Sequence, residues 1–291
     1  MTTTTRETTA TGGGMADLRV GILGFGLRSG LWRHAHRPGE GSRVVAVCDA
    51  GRRGRGEAQQ ALPEARVVAA LEDLLALDLD AVLVLTPDHL HAEHAVATLR
   101  AGVATFLEKP IATTIPDADR ILQTARATGT RLYIGHNMRH LPVITLMRRA
   151  IRDGAIGEVR AIWCRHFVSA GGDFYFKDWH ADRRNTTGLL LQKGAHDIDV
   201  IHWLAGGYTR ATQAVGALST YGDLPRREQE ITDEVMTQWY DEDVWPPATQ
   251  RDLNPVVDVE DLSMANLVLD NGVLASYQQC HFAPATGAAT R

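Results

Sequence analysis

The chain has 291 residues, a length that suits two modest domains better than one small, covalently stapled one. Apolar residues make up 44% and charged residues 22%, ordinary globular usage that excludes a chain disordered, collagen-like or coiled-coil throughout. Lysine and arginine number 30 against 35 aspartates and glutamates, so a net charge of −5 offers no basic footprint for nucleic acid or an anionic membrane.

The three cysteines, Cys48, Cys164 and Cys280, are odd in number and far apart, which builds neither a disulfide framework nor a CxxC knuckle. A reducing, cytoplasmic location is expected. No stretch approaches the roughly 18 uninterrupted apolar residues of a membrane-spanning helix. The opening MTTTTRETTATGGG lacks both the charged start and the apolar middle of a secretory signal, so residues 1–16 read as a disordered tail, with Met15 an expected alternative start.

In chain order, LRVGILG at 18–24 is a short apolar run ended by glycine, the pattern of a strand buried on both faces. RVVAVCD at 43–49, Val67 and Val68, LDAVLVLT at 79–86, 103–107 and 131–135 repeat it. Helices are predicted at 56–61, 71–77 and 91–101, the last closed by Gly102, and another is opened by Pro116. Strands alternating with helices specify an α/β chain with a doubly wound parallel sheet, a Rossmann domain over 17–140. After Pro142 come a helix at 143–152 and the alternating run EVRAIWCRHFV, which begin a second, α+β and more antiparallel domain over 141–291. Residues 188–205 read as one helix despite Gly194. A hairpin is predicted over 261–279, turned at Asp270-Asn271-Gly272 in type I′ geometry. The polar stretch 219–258 reads as a long surface excursion.

The loop GFGLRSG carries the first chemistry. Gly24 and Gly26 follow the first strand, where the missing Cβ allows a tight turn and lets the backbone of Phe25 and Leu27 approach a pyrophosphate. Ser29 holds the third position of GxGxxG, with Gly30 one place later. Asp49, 25 positions beyond Gly24, ends the second strand, where a carboxylate accepts the ribose hydroxyls of an adenosine. A tight turn beside a solvated aspartate is the plainer alternative. Arg52 and Arg53 suit a 2′-phosphate while Asp49 repels one, so NAD is expected and NADP is kept open.

TPDHLHAEH at 86–94, Glu108-Lys109-Pro110, GHNMRHLP at 135–142 and QKGAHDID at 192–199 together resemble the Gfo/Idh/MocA family of oxidoreductases, in order and spacing along nearly the whole chain. The resemblance implies a Rossmann domain joined to a domain with an open sheet facing the cofactor. It also implies hydride transfer between a nicotinamide and a secondary alcohol of a sugar, inositol or related polyol. Such chemistry needs a base for the hydroxyl proton and a cation near the developing alkoxide. Lys109, after the fifth strand, and His196 suit those tasks. A cis Lys109–Pro110 peptide is implied as well, and Thr86, Pro87 and His91 are implied to pass beneath the nicotinamide, with Glu108 beside the cofactor. Gln192, His196 and Asp199 are spaced to share one helix face, so Asp199 is expected to orient His196 or bind a substrate hydroxyl. Members with a defined polyol activity often carry an aspartate at the position of Gln192; the amide here removes a charge.

Asn137 and Arg139 reach cofactor or substrate, or form a domain-linking ion pair. Tyr175, Trp179 and His180 form a stacking wall for a sugar face, or are simply buried. Two rival functions remain: a binuclear metal hydrolase using His89, His91 and His94 with Glu93, and a cofactor-binding sensor or scaffold that does not turn over. Relatives continue beyond HFAPATGAATR into further sheet strands, so an exposed sheet edge and weakened homo-oligomerisation are expected.

Overall fold

A computed structural model describes residues 16–169, 171–229 and 246–284. The first sheet runs β3-β2-β1-β4-β5-β6, all parallel, from β1 (Leu18–Leu23), β2 (Ser42–Cys48), β3 (Arg66–Val68), β4 (Ala81–Val84), β5 (Ala104–Leu107) and β6 (Leu132–Ile134). Ile22, Val47, Val82 and Leu107 are fully buried because helices cover both faces. The chain reverses direction across the sheet between β1 and β4, which opens a crevice at the carboxyl ends of the strands.

The helices of this domain are α1 (Trp32–Ala35), α2 (Arg52–Ala61), α3 (Leu71–Leu75), α4 (His91–Arg100) and α5 (Ile115–Thr128). The Thr114 side chain caps α5 by accepting from Asp117 N–H, and Pro116 fills its first turn where no donor is lost. The helix after the glycine loop is only a 3₁₀ turn at Ser29–Leu31 followed by the four residues of α1.

Next come α6 (Pro142–Arg152), β7 (Ala161–Phe167) and the short helices α7 (Gly171–Phe174) and α8 (Arg183–Thr186). They lead into α9 (Leu189–Gln192), α10 (Gly194–Ala205), β8 (Thr209–Ala217), β9 (Leu262–Leu269) and β10 (Leu274–Cys280). The second sheet runs β7-β10-β9-β8, antiparallel except where β10 pairs with β7. Its inner residues Ala265, Leu267, Leu269, Ala275 and Tyr277 pack with Ile201 of α10. The other face is open: Trp163 is 77% exposed, and Val215 and Met264 lie on the same side. β7 and β8 are the edges.

Three sequence expectations need correction, and one strand lies where none was expected. The hairpin turn is not type I′, which demands positive φ at both central residues. Only Gly272 (φ 85°) has it, with Gly272 N–H bonded to Leu269 C=O and Leu269 N–H to Val273 C=O, the arrangement of a type I turn followed by a glycine bulge. Residues 188–205 are not one helix but α9 and α10, broken at Lys193. The stretch 219–258 is not a surface excursion at its ends: Tyr221, Leu253 and Val257 are buried in a core with Phe176 and Leu189, while 230–245 lie outside the described residues. Strand β8 was not anticipated, since its alternation is polar and nearly all of it is exposed. The tail at 1–15 is outside the described residues, among which no helix is long and apolar enough to cross a membrane.

Candidate active site

A cavity of about 1010 Å³ lies at the carboxyl ends of the first sheet, walled on its far side by the second domain. One end is the glycine loop. Gly24 has φ 92° and a Cβ there would meet the Leu85 backbone at 3.0 Å, so no other residue fits without displacement. Gly26 has open space over its Cα, and the N–H groups of Gly26, Leu27 and Arg28 find no acceptor among the described residues. Ser29 N–H closes the turn onto Gly26 C=O at 2.9 Å. Asp49 ends β2 and accepts from Phe25 N–H (2.6 Å) and Gly51 N–H (2.8 Å), which fixes its carboxylate at the cavity wall with lone pairs to spare. Three free amides and a fixed carboxylate 25 positions apart fit a dinucleotide: the amides for its pyrophosphate, Asp49 for a ribose. Arg53 lines the same wall, its guanidinium paired with Glu57 at 2.7 Å.

The floor comes from the ends of β4 and β5. Thr86, Pro87 and Asp88 follow β4; Glu108 and Lys109 follow β5, and the Lys109–Pro110 peptide is cis. Buried His91 has Nδ1 2.6 Å from Pro110 C=O and Nε2 2.9 Å from Thr86 C=O, tying the two strand ends together. Buried Glu108 accepts from Arg28 of the glycine loop (2.6 Å) and from Lys109 N–H (2.9 Å). Lys109 Nζ donates to Gln192 C=O at 2.8 Å. That carbonyl is free because the break at Lys193 makes His196 N–H bond Lys193 C=O instead of the residue four back. Burial pulls Lys109 below the usual lysine range, opposed by the charges of Asp88 and Glu108. Burial pushes the Asp88 carboxyl up, opposed by Lys109 and by a hydrogen bond from Thr186.

The far wall is Gln192, Lys193 and His196, with Tyr175, Trp179 and His180. Trp179 and His180 stack with centroids 3.8 Å apart, and His180 packs edge-on to buried Tyr175 at 5.4 Å. His196 is held at about 3, far below the imidazole range, by burial and then by the positive charges of Lys109, Lys193, His136 and Arg28. His180 lies at about 3 through burial, then Lys109 and His281. Both are neutral at pH 7, and each has a buried Nδ1 with no partner among the described residues.

Asp199 does not reach His196. Its two oxygens take Arg139 Nε (2.7 Å) and Nη2 (2.6 Å), and neither residue lines the cavity. The pair joins the segment after β6 to α10, the domain-linking alternative. The broken helix explains the miss, since spacing arguments across Lys193 assumed regular turns. Asn137 does line the cavity. Leu27 and Phe25 flank the loop, the former 45% exposed and the latter 3%.

Sequence reading missed Arg28, Asp88, Gly54 and Lys193. Arg28 matters through Glu108, 80 positions away, and Asp88 through Thr186, 98 away; no local pattern carries either. His89, His91 and His94 do not converge on a metal. His91 has both nitrogens on carbonyls, His94 Nδ1 meets Thr86 Oγ1 at 3.0 Å, and His89 lies against Trp179. Among the described residues no group of three potential ligands assembles.

Comparison with known proteins gives this geometry its family. The sequence model of the oxidoreductase family with an NAD-binding Rossmann fold, Gfo/Idh/MocA, matches residues 18–136, and that of the family's C-terminal domain matches 144–290. The chain belongs to the Gfo/Idh/MocA oxidoreductases. Relatives within Gfo/Idh/MocA include inositol 2-dehydrogenase 1 of Saccharopolyspora erythraea, 34% identical over 64% of this chain and 54% of that protein. D-apiose dehydrogenase of Paraburkholderia graminis is 31% identical over 68% and 52%. The chain spans about half the length of the curated relatives it matches. The WlbA dehydrogenase from Bordetella pertussis, solved with NADH and UDP-GlcNAcA, superimposes with a TM-score of 0.73 at 24% identity, covering 92% of this chain and 73% of that one. Scyllo-inositol dehydrogenase from Lactobacillus casei gives 0.71 at 20%, covering 92% and 70%. Both likenesses speak to the Gfo/Idh/MocA fold alone.

Proposed function

We propose that this protein is an NAD(P)-dependent dehydrogenase, with NAD preferred, that moves a hydride between nicotinamide and a secondary alcohol carbon of a sugar, inositol or related polyol. The observation that carries the reading is a single cavity with free loop amides and Asp49 at one end and Lys109 with His196 at the other. The inositol and apiose dehydrogenases among the relatives support the substrate class.

The amides of Gly26, Leu27 and Arg28 hold the pyrophosphate, and Asp49 accepts from the adenosine ribose. The Asp49 charge opposes a 2′-phosphate, and Arg53 is countered by Glu57, which favours NAD. When bound, the nicotinamide accepts or donates the hydride. Lys109 Nζ, held by Gln192 C=O, donates to the reacting oxygen and stabilises the charge that develops there. His196, neutral at pH 7, takes the hydroxyl proton at Nε2. Tyr175, Trp179 and His180 give the sugar an apolar face, and Asn137 borders the site. Asp199 acts through Arg139 to position α10.

The test is formation of reduced nicotinamide with a panel of sugars and inositols. Lys109→Met and His196→Asn are each expected to lower kcat/KM by roughly 10²–10⁴. Unchanged turnover in Lys109→Met contradicts the reading; NADH binding with no turnover across the panel favours the sensor.

A further inference from the structure

Lys177 lines the cavity and is itself engaged, and the other charges there can be paired one by one. Glu108 takes Arg28, Glu57 takes Arg53, and Asp49 takes two backbone amides. Asp88 faces Lys109 and accepts from Thr186; Asp178 accepts from Trp179 N–H at 2.7 Å and faces the charge of Arg227. Lys193 is left over. It sits at the break between α9 and α10, on the wall with His180 and His196 and opposite the glycine loop, and its ammonium has no hydrogen bond or ion pair among the described residues. The opposing charge that acts on it is Asp197, whose Oδ2 is occupied by His166 Nδ1 (2.8 Å) and the Tyr277 hydroxyl (2.9 Å).

A partly buried ammonium without an acceptor is costly unless something that binds beside it supplies one. Three further buried nitrogens of this end are also without partners among the described residues: His180 Nδ1, with His180 only 3% exposed, His196 Nδ1 and Arg227 Nε. Lys109, Lys193 and Arg28 together give His196 a positive surrounding. A neutral polyol supplies hydroxyls but no countercharge.

We propose that the substrate is an anionic carbohydrate whose carboxylate or phosphate lies on the ammonium of Lys193. The proposal rests on the dehydrogenase reading for the reacting alcohol, but the anion site is read from the cavity alone. Such an anion completes the charge pairing and raises the proton affinity of the adjacent His196, so that binding the correct substrate readies the base.

The experiment uses the full chain loaded with NADH and calorimetric titration with glucose, myo-inositol, glucuronate, gluconate and glucose 6-phosphate, alongside steady-state turnover with NAD. An anionic sugar is expected to bind about tenfold or more tightly than its neutral counterpart. Lys193→Gln should abolish that preference and Lys193→Arg should keep it. Preference for the acids indicates a carboxylate, and preference for the sugar phosphate a phosphate. Equal or better binding of the neutral sugars overturns the proposal, as does a preference that survives Lys193→Gln. Weakened NADH binding in Lys193→Gln, with sugar binding unaffected, assigns the ammonium to the cofactor and also overturns it. Anion preference without turnover sustains this site while removing the dehydrogenase reading; turnover of neutral sugars alone does the reverse.

Discussion

A Cβ at Gly54 would fall 2.5 Å from the Asp49 carboxyl carbon, so the carboxylate that faces the cavity depends on a glycine one turn into α2. Gly54→Ala is therefore expected to displace Asp49, weaken NADH binding about tenfold and cost about 1–3 kcal/mol of stability. Paired calorimetry and urea denaturation check both, and full NADH affinity in the variant would separate Asp49 from the cofactor. At this scale Gly24, Gly26, Asp49 and Lys109 were legible because each lies in a short contiguous pattern whose backbone role follows from residue type. Gly54 sits inside a helix where glycine has no local rationale, and its reason appears only once Asp49 is folded over it.

At the scale of elements, the decisive feature is the interruption at Lys193. It releases Gln192 C=O to hold Lys109 Nζ and turns the Lys193 ammonium toward the cavity. Periodicity suggested one helix because apolar residues continue on both sides; the break shows only in the hydrogen bonds. Glu260 contributes from afar, accepting Leu190 N–H at 2.7 Å over a glycine, Gly188, whose Cβ would collide with it. The Arg139–Asp199 pair fixes the other end of the same unit to the segment after β6. A double-mutant cycle of Arg139→Ala and Asp199→Asn should give a coupling of about 1 kcal/mol in stability. A coupling near zero, with KM alone affected, would return Asp199 to direct substrate binding.

For the whole molecule, the doubly wound parallel sheet followed from alternating runs and short loops, which leave few topologies for such a sheet. The second domain was less legible. Its core draws on Tyr221 and Leu253, either side of a polar stretch, and on aromatic residues in short helices without periodicity. Its interior also holds neutral histidines: His281, like His180 and His196, is pushed down to about 3, chiefly by burial. Each binds its proton in the unfolded chain near pH 6.5 but in the folded protein only near 3, so the unfolded state holds more protons across that window. Stability present above pH 6.5 should therefore fall as pH drops toward 3, by up to ~1.4 kcal/mol per pH unit for each group. Urea midpoints measured from pH 7 to 4 check this. His281→Gln, which keeps a polar group beside Gln279, should flatten the decline, and an unchanged slope would mean that His281 carries none of it.

The proposed hydride transfer depends on a nicotinamide dinucleotide lying across the carboxyl ends of the first sheet. Calorimetric titration of the folded protein with NADH and NADPH tests this most directly. Saturable NADH binding, tighter than NADPH by about tenfold and weakened by Asp49→Ala, is the predicted result. A folded sample that gives no binding heat with either nucleotide, or one that prefers NADPH and ignores Asp49→Ala, would contradict it.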